Sequence, residues 1–263
     1  MFDFFRSLRD LHVTGNFTCI FDIYFPKLCS TNELLLILEK LNEYTAFLFD
    51  LNGTMIDDMP FHIKAWHRVL NEAGAEVGLD QVKAECFGKN QEFLEHLFPG
   101  LFSGREKNEM SLAKEKQYQQ AFKSQLQLIK GLQNFLNESH DAGIKIAIGT
   151  AAIMNNVDYI LDGVGIRHYI DTIVSADDVE TSKPHPETFL KCAGILGIAP
   201  HRCLVFEDSP KGAETAFNAG MDCVIVTTLH SPEEFSTSKN VIGFISNFDD
   251  PLVKNLIKWK ETA

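Results

Sequence analysis

At four places in the 263-residue chain, a strand-like or loop segment delivers a side chain that could do chemistry. The apolar run Ala46-Phe47-Leu48-Phe49 stops at the carboxylate of Asp50, and Lys145-Ile146-Ala147-Ile148-Gly149 stops at the hydroxyl of Thr150. Thr181-Ser182-Lys183-Pro184-His185-Pro186 sets a lysine before two prolines, which hold off regular structure until a helix can begin. Cys203-Leu204-Val205-Phe206 ends in the acid pair Glu207-Asp208, ahead of the helix start Ser209-Pro210. Ligands of parallel α/β sheets sit outside the carboxyl ends of the strands, so an acid at that edge faces a substrate crevice. Asp50 is therefore the leading catalytic candidate. Taken singly, each residue has a plainer explanation: a turn acid at Asp50, a residue leaving a strand at Thr150, a solvated lysine at Lys183, a helix-capping acid at Asp208. Their ordered recurrence after strand-like runs is what those explanations leave out.

Asp, Thr, Lys and Glu-Asp in this order resemble the four motifs of the haloacid dehalogenase (HAD) superfamily of phosphoryl-transfer enzymes, over roughly residues 44–250. A transferring phosphoryl group carries charge on its equatorial oxygens, so its catalysis consists largely of positioning and electrostatic stabilisation. The resemblance implies that Asp50 is the nucleophile, forming an aspartyl-phosphate. It implies that Thr150 and Lys183 donate to the phosphoryl oxygens. It also implies that Asp50, Asp208 and Glu207, with the main-chain carbonyl of Asn52, hold Mg²⁺ through oxygen ligands. The expected activity is magnesium-dependent hydrolysis of a small phosphorylated metabolite.

Two departures from the family pattern bear on that expectation. The position two residues after the nucleophile is an acid/base aspartate in HAD phosphatases and phosphomutases, but here it is Asn52, whose amide has no proton to give or take at neutral pH. Three resolutions are open. The substrate has a leaving group that is already a stable anion, or His62, Asp57 or Asp58 acts as the acid. Alternatively, Asn52 is an introduced substitution, or the chain binds phosphorylated ligands with little turnover. The second departure concerns the mutases. β-Phosphoglucomutase grips a second phosphate with a cap-loop arginine and a cation after the second motif. Here the cap loop reads Phe87-Gly88-Lys89-Asn90-Gln91 and the other segment Thr150-Ala151-Ala152-Ile153-Met154. Lys89, Gln91 and Ala151 take those substrate-binding positions, with Lys89 the one obvious cation. Phosphate hydrolysis is thus favoured over a sugar-phosphate isomerase, with a non-catalytic phosphate sensor as the alternative from another class.

The elements that must position these residues follow a βα rhythm. Strands are predicted near 46–49, 144–148, 172–175, 203–206, 223–226 and 243–245, and helices near 155–161, 186–196 and 210–218. Alternation of this kind implies a parallel sheet with helices on both faces. The expected fold is α/β: a three-layer Rossmann-like core over 44–59 and 126–263, preceded by an extension of unknown role at 1–43. Between the two core segments, residues 60–125 are predicted to form an α-helical cap resembling that of the β-phosphoglucomutase-like subgroup. His62, Trp66, Val69, Leu70 and Ala73 share one helix face, and further helices are predicted at 91–97 and 105–124. His62 matches a cap-helix histidine beside the cleft in that subgroup, whereas Trp66 reads as core. Hinges are expected at 57–60 and 125–130.

Composition narrows the function classes. A net charge of −12 disfavours a polyanion partner, so no nucleic-acid role is expected. Six scattered cysteines show no paired spacing, which suits a reducing cytoplasm. No zinc-protease, α/β-hydrolase or P-loop signature occurs. The aromatic segment 17–28 is too short and too broken by Asp22, Pro26 and Lys27 to cross a bilayer, so no membrane anchor is expected. A helix is predicted at 31–42, while an accessory element, a partner contact and an upstream start codon all fit residues 1–30. A monomer is slightly favoured.

Overall fold

The structure, a computed structural model, describes residues 44–86 and 88–258. The extension at 1–43, with its predicted helix, and Phe87 of the cap loop lie outside the described residues. Six strands form one parallel sheet in the order β3-β2-β1-β4-β5-β6: β1 (Ala46–Phe49), β2 (Lys145–Gly149), β3 (Thr172–Val174), β4 (Cys203–Glu207), β5 (Asp222–Val226) and β6 (Val241–Ile245). β1 and β4 are apolar nearly throughout because both faces of a central parallel strand are covered, and every residue of either strand is buried.

Successive side chains point to opposite faces, and each face packs its own layer. On one face Phe47, Phe49 and Phe206 meet Phe135 and Phe248; the Phe49 and Phe206 rings stack at 4.7 Å between centroids. Helices α5 (Leu132–Asp141), α6 (Met154–Val164) and α9 (Pro251–Lys258) cover that side. On the other face Ala46, Leu48 and Val205 pack under α7 (Glu187–Leu196) and α8 (Pro210–Asn218). The result is the three-layer α/β core expected from the βα rhythm.

Four helices stand between β1 and α5: α1 (Met59–Glu72), α2 (Leu79–Glu85), α3 (Asn90–Leu97) and α4 (Gly104–Phe122). They share a separate apolar cluster built on Ile63, Trp66, Leu70, Val82, Phe93 and Leu94. Three helices, α2, α5 and α9, exceed what the sequence patterns had indicated. Leu132, Phe135, Leu136 and Ser139 of α5 are buried at the spacings of one helix face, a signal masked by its proximity to the expected hinge. Among the described residues, no helix is long and apolar enough to cross a membrane.

Candidate active site

Strand register assembles the site. β1 pairs in parallel with β2 (Phe49 beside Ile148) and with β4 (Phe49 beside Phe206), so Asp50, Thr150 and Glu207 reach the same sheet edge side by side. The Asp50 amide donates to the Phe206 carbonyl at 2.9 Å, and the Thr150 amide to the Val174 carbonyl at 2.9 Å. Lys183 enters from the segment after β3. Its ammonium donates to Asp50 Oδ1 at 2.7 Å and to Glu207 Oε1 at 2.5 Å, and lies 4.8 Å from the centre of the Phe189 ring. Glu207 Oε2 accepts from the amides of Asp208 (3.0 Å) and Ser209 (3.2 Å) and from the Ser209 hydroxyl (3.1 Å), so both of its oxygens are engaged. Ser209 also caps α8 by accepting from the Gly212 amide at 3.1 Å. The capping role open to Asp208 in the sequence therefore belongs to its neighbour.

Two glycines permit the close approach. Gly53 has φ of +81°, and a Cβ there would stand 2.2 Å from Asp208 Oδ2; a Cβ on Gly212 would stand 1.8 Å from the Glu207 carboxyl carbon. Both positions exclude a side chain because an acid occupies its space.

Asp50, Glu207 and Asp208 each offer a carboxylate oxygen, and all three lie within 4.8 Å of one another. Burial raises the Asp50 carboxyl to about 7; Lys183 opposes that rise, and Glu207 adds to it. Burial, then Glu207 and Asp50, holds Asp208 well above the carboxylate range. Burial disfavours the charged form of Lys183, but Asp50 and Glu207 outweigh it and hold the ammonium above the usual lysine range. One lysine cannot balance three acids. A hard divalent cation fits this oxygen-rich, net-negative pocket, and Asp50 and Asp208 are the acids left to take it.

Behind the acids lies a hydrogen-bonded group centred on Asp58. Asp58 Oδ2 accepts from the Asn52 amide at 2.6 Å and from the Tyr118 hydroxyl at 2.6 Å, and stands 3.2 Å from His62 Nε2. Asp58 Oδ1 is buried without a partner. His62 Nε2 is also 3.1 Å from the Asn52 amide, and its ring stacks on Tyr118 with centroids 3.7 Å apart. Burial, reinforced by Lys114, lowers the His62 pKa; Asp58 opposes that fall. The imidazole is thus held towards its neutral form.

A cavity of about 330 Å³ opens above the acids, between the sheet edge and the helical insertion. Asp50, Asn52, Thr150, Lys183, Glu207 and Asp208 line it below, and His62, Trp66, Asn90, Lys114 and Glu115 from the insertion. Lys114 and Glu115 are buried and paired, with Nζ to Oε1 at 2.9 Å.

The family profile of haloacid dehalogenase-like hydrolases matches residues 47–226. The chain belongs to this family. Fructose-1-phosphate phosphatase YqaB of Escherichia coli is 32% identical over 188 residues, covering 71% of this chain and 98% of that protein. Among solved structures, a family IA, variant 3 HAD hydrolase of Entamoeba histolytica superposes with a TM-score of 0.73 at 24% identity, covering 82% of this chain and 99% of that one. β-Phosphoglucomutase of Clostridium difficile superposes with a TM-score of 0.71 at 23% identity, covering 83% and 98%. The fold of this family member is thus shared with a HAD hydrolase and with a β-phosphoglucomutase.

The residues singled out in the sequence of this family member divide into two sets. Asp50, Asn52, His62, Thr150, Ala151, Lys183, Glu207 and Asp208 converge on the cavity. Lys89 and Gln91 are not among the residues lining it. The Lys89 ammonium donates to the Val179 carbonyl, and exposed Gln91 donates to Asn108 Oδ1 at 2.6 Å. Their side chains have found protein partners instead. Asp57 is exposed, leaving Asp58 and His62 as the groups that touch Asn52. Trp66 is core, as expected, and also lines the cavity. Sequence reasoning overlooked Lys114, Glu115, Asn90 and Asn156. The available signal was the set Lys114, Tyr118 and Phe122, which recurs every fourth residue on the buried face of an otherwise charged helix.

Proposed function

We propose that the chain is a magnesium-dependent phosphatase that hydrolyses a small phosphorylated metabolite of the sugar-phosphate class through an aspartyl-phosphate on Asp50. The observation that carries the reading is the meeting of Asp50, Lys183, Glu207 and Asp208 beneath one cavity. Fructose 1-phosphate, the substrate in the name of a relative that matches over 98% of its own length, is the first compound to try.

In this reading an oxygen of Asp50 attacks phosphorus, the bond to the leaving oxygen breaks, and water then displaces Asp50 and releases inorganic phosphate. Lys183 orients Asp50 through the 2.7 Å hydrogen bond and places positive charge beside the developing phosphoryl charge. Thr150, buried at the end of β2, offers its hydroxyl to a phosphoryl oxygen. Glu207 fixes Lys183. Asp50, Asp208 and the Asn52 main-chain carbonyl would hold Mg²⁺, which supplies charge neutralisation when bound. The helical insertion at 60–125 acts as the cap, shielding the site from bulk water while the phosphoryl group is transferred to Asp50.

Asn52 cannot protonate the leaving oxygen, and Asp58, hydrogen-bonded behind it, is absent from the cavity lining. Substrates whose leaving group departs as a stable anion should therefore turn over faster than alkyl phosphates. The displacement of Lys89 and Gln91 from the cavity favours hydrolysis over phosphate transfer within a bisphosphate. Phosphate release in Mg²⁺ and in EDTA, for the chain and for Asp50→Asn, tests the reading. Loss of Mg²⁺-dependent release in the variant is expected; undiminished release would reject Asp50 as nucleophile.

A further inference from the structure

The insertion sets two lysines in the cavity lining: Lys83 is exposed, whereas Lys114 is buried in an ion pair. Lys114 Nζ lies 2.9 Å from Glu115 Oε1, and the two side chains are 4% and 6% exposed. Lys114 also sits 5.5 Å from the Trp66 ring centre and 5.9 Å from that of Tyr118, which fixes it on the cavity wall. Glu115 is held from both sides of the cleft. Asn90 of α3 donates to its Oε1 at 2.7 Å, and Asn156 of the core helix α6 donates to its Oε2 at 2.5 Å. Burial disfavours the carboxylate, but Lys114 and the two asparagines outweigh burial and keep it ionised.

We infer that Glu115 is a specificity-determining residue: by neutralising Lys114 inside the cavity, it excludes ligands that carry a second phosphate and leaves the distal wall to neutral, hydroxyl-bearing groups. This rests on the phosphomonoester reading above. The strong contacts to a phosphate dianion are charge-assisted, and a lysine already bound to a buried carboxylate presents no net charge to attract one. Of the other lysines in the lining, Lys183 is already bound to Asp50 and Glu207 in the acid cluster. Lys83 is exposed, and Lys211 stands on the core at the start of α8. A hydroxyl, by contrast, can donate to Glu115 and accept from Lys114 at once.

The test compares binding of fructose 1-phosphate and fructose 1,6-bisphosphate by calorimetry, for the full chain, Glu115→Gln and the double variant Lys114→Gln/Glu115→Gln. The chain should prefer the monophosphate. Glu115→Gln should shift the affinity ratio towards the bisphosphate by roughly tenfold or more, and the double variant, again neutral, should return to within about threefold of the starting ratio. An unchanged ratio in Glu115→Gln overturns the inference. Should that variant fail to fold, a double variant whose ratio departs tenfold from that of the chain does the same. Turnover of p-nitrophenyl phosphate by the unaltered chain, measured alongside, reports separately on the phosphatase reading; its absence would sink that reading while the binding ratios still judge Glu115.

Discussion

If the chain works through Asp50 as proposed, replacing Asn52 by aspartate should speed its turnover of sugar phosphates, and the structure supplies the magnitude. The Asn52 amide nitrogen lies 2.6 Å from Asp58 Oδ2. A carboxylate in its place would set two acids at about that separation. At an effective dielectric constant of 20, two charges 2.6 Å apart repel by about 6 kcal/mol. Repulsion of that size disfavours ionising both carboxyls together, so the two would share a proton. The variant thereby gains a protonated acid two residues from Asp50, and general acid catalysis typically supplies about 10²–10⁴-fold in rate. The gain belongs to leaving groups that need a proton. Initial rates in Mg²⁺ should therefore rise by that range for fructose 1-phosphate but little for acetyl phosphate, whose leaving group is already a stable anion. The sugar-phosphate rate of the variant should also fall at high pH as the shared proton leaves. Equal gains on both substrates, or none on either, would refute the account of Asn52.

Three further outcomes follow from the same geometry. Asp50 is held at about 7, against 3.8 when exposed, so between those values the unfolded chain has released a proton that the folded chain keeps. The metal-free protein therefore loses stability as pH rises through that window, by up to about 1.4 kcal/mol per unit from this group. Mg²⁺ favours the ionised site, so its thermal stabilisation should be larger at pH 7.5 than at pH 5, and equal shifts would count against Asp50 as a ligand. Gly212→Ala drives a Cβ into Glu207, which Lys183, Asp208 and Ser209 pin in place. A displaced Lys183 should then lower kcat on the order of 10²-fold while circular dichroism stays native; unimpaired turnover would show that Glu207 does not position it. Tyr118→Phe removes a 2.6 Å hydrogen bond to buried Asp58, and urea unfolding should report a loss of about 1.5–3 kcal/mol; an unmoved midpoint would show that the bond contributes nothing.

Legibility in the sequence followed the range of the interactions involved. The core was readable because a parallel strand buried on both faces must be apolar along its length, so β1, β2 and β4 announce themselves, and a polar residue that ends each one is conspicuous. Asp50, Thr150 and Glu207 then become neighbours by register alone, and Lys183 and Asp208 follow within one loop. The insertion obeys no such local rule. Lys89 and Lys114 are both lysines on polar stretches, yet Lys89 is tied to the Val179 carbonyl and Lys114 is buried in the cavity wall. The partners that separate them lie far along the chain: Val179 is 90 residues from Lys89, and Asn156 is 41 residues from Glu115. Asp58 shows the same contrast, for its contact with His62 lies one helical turn away while that with Tyr118 spans 60 residues. Periodicity reports which face of a segment is apolar. Which buried polar group answers another is set when two distant segments pack, because a polar side chain removed from water must find its partner wherever the fold brings one within about 3 Å.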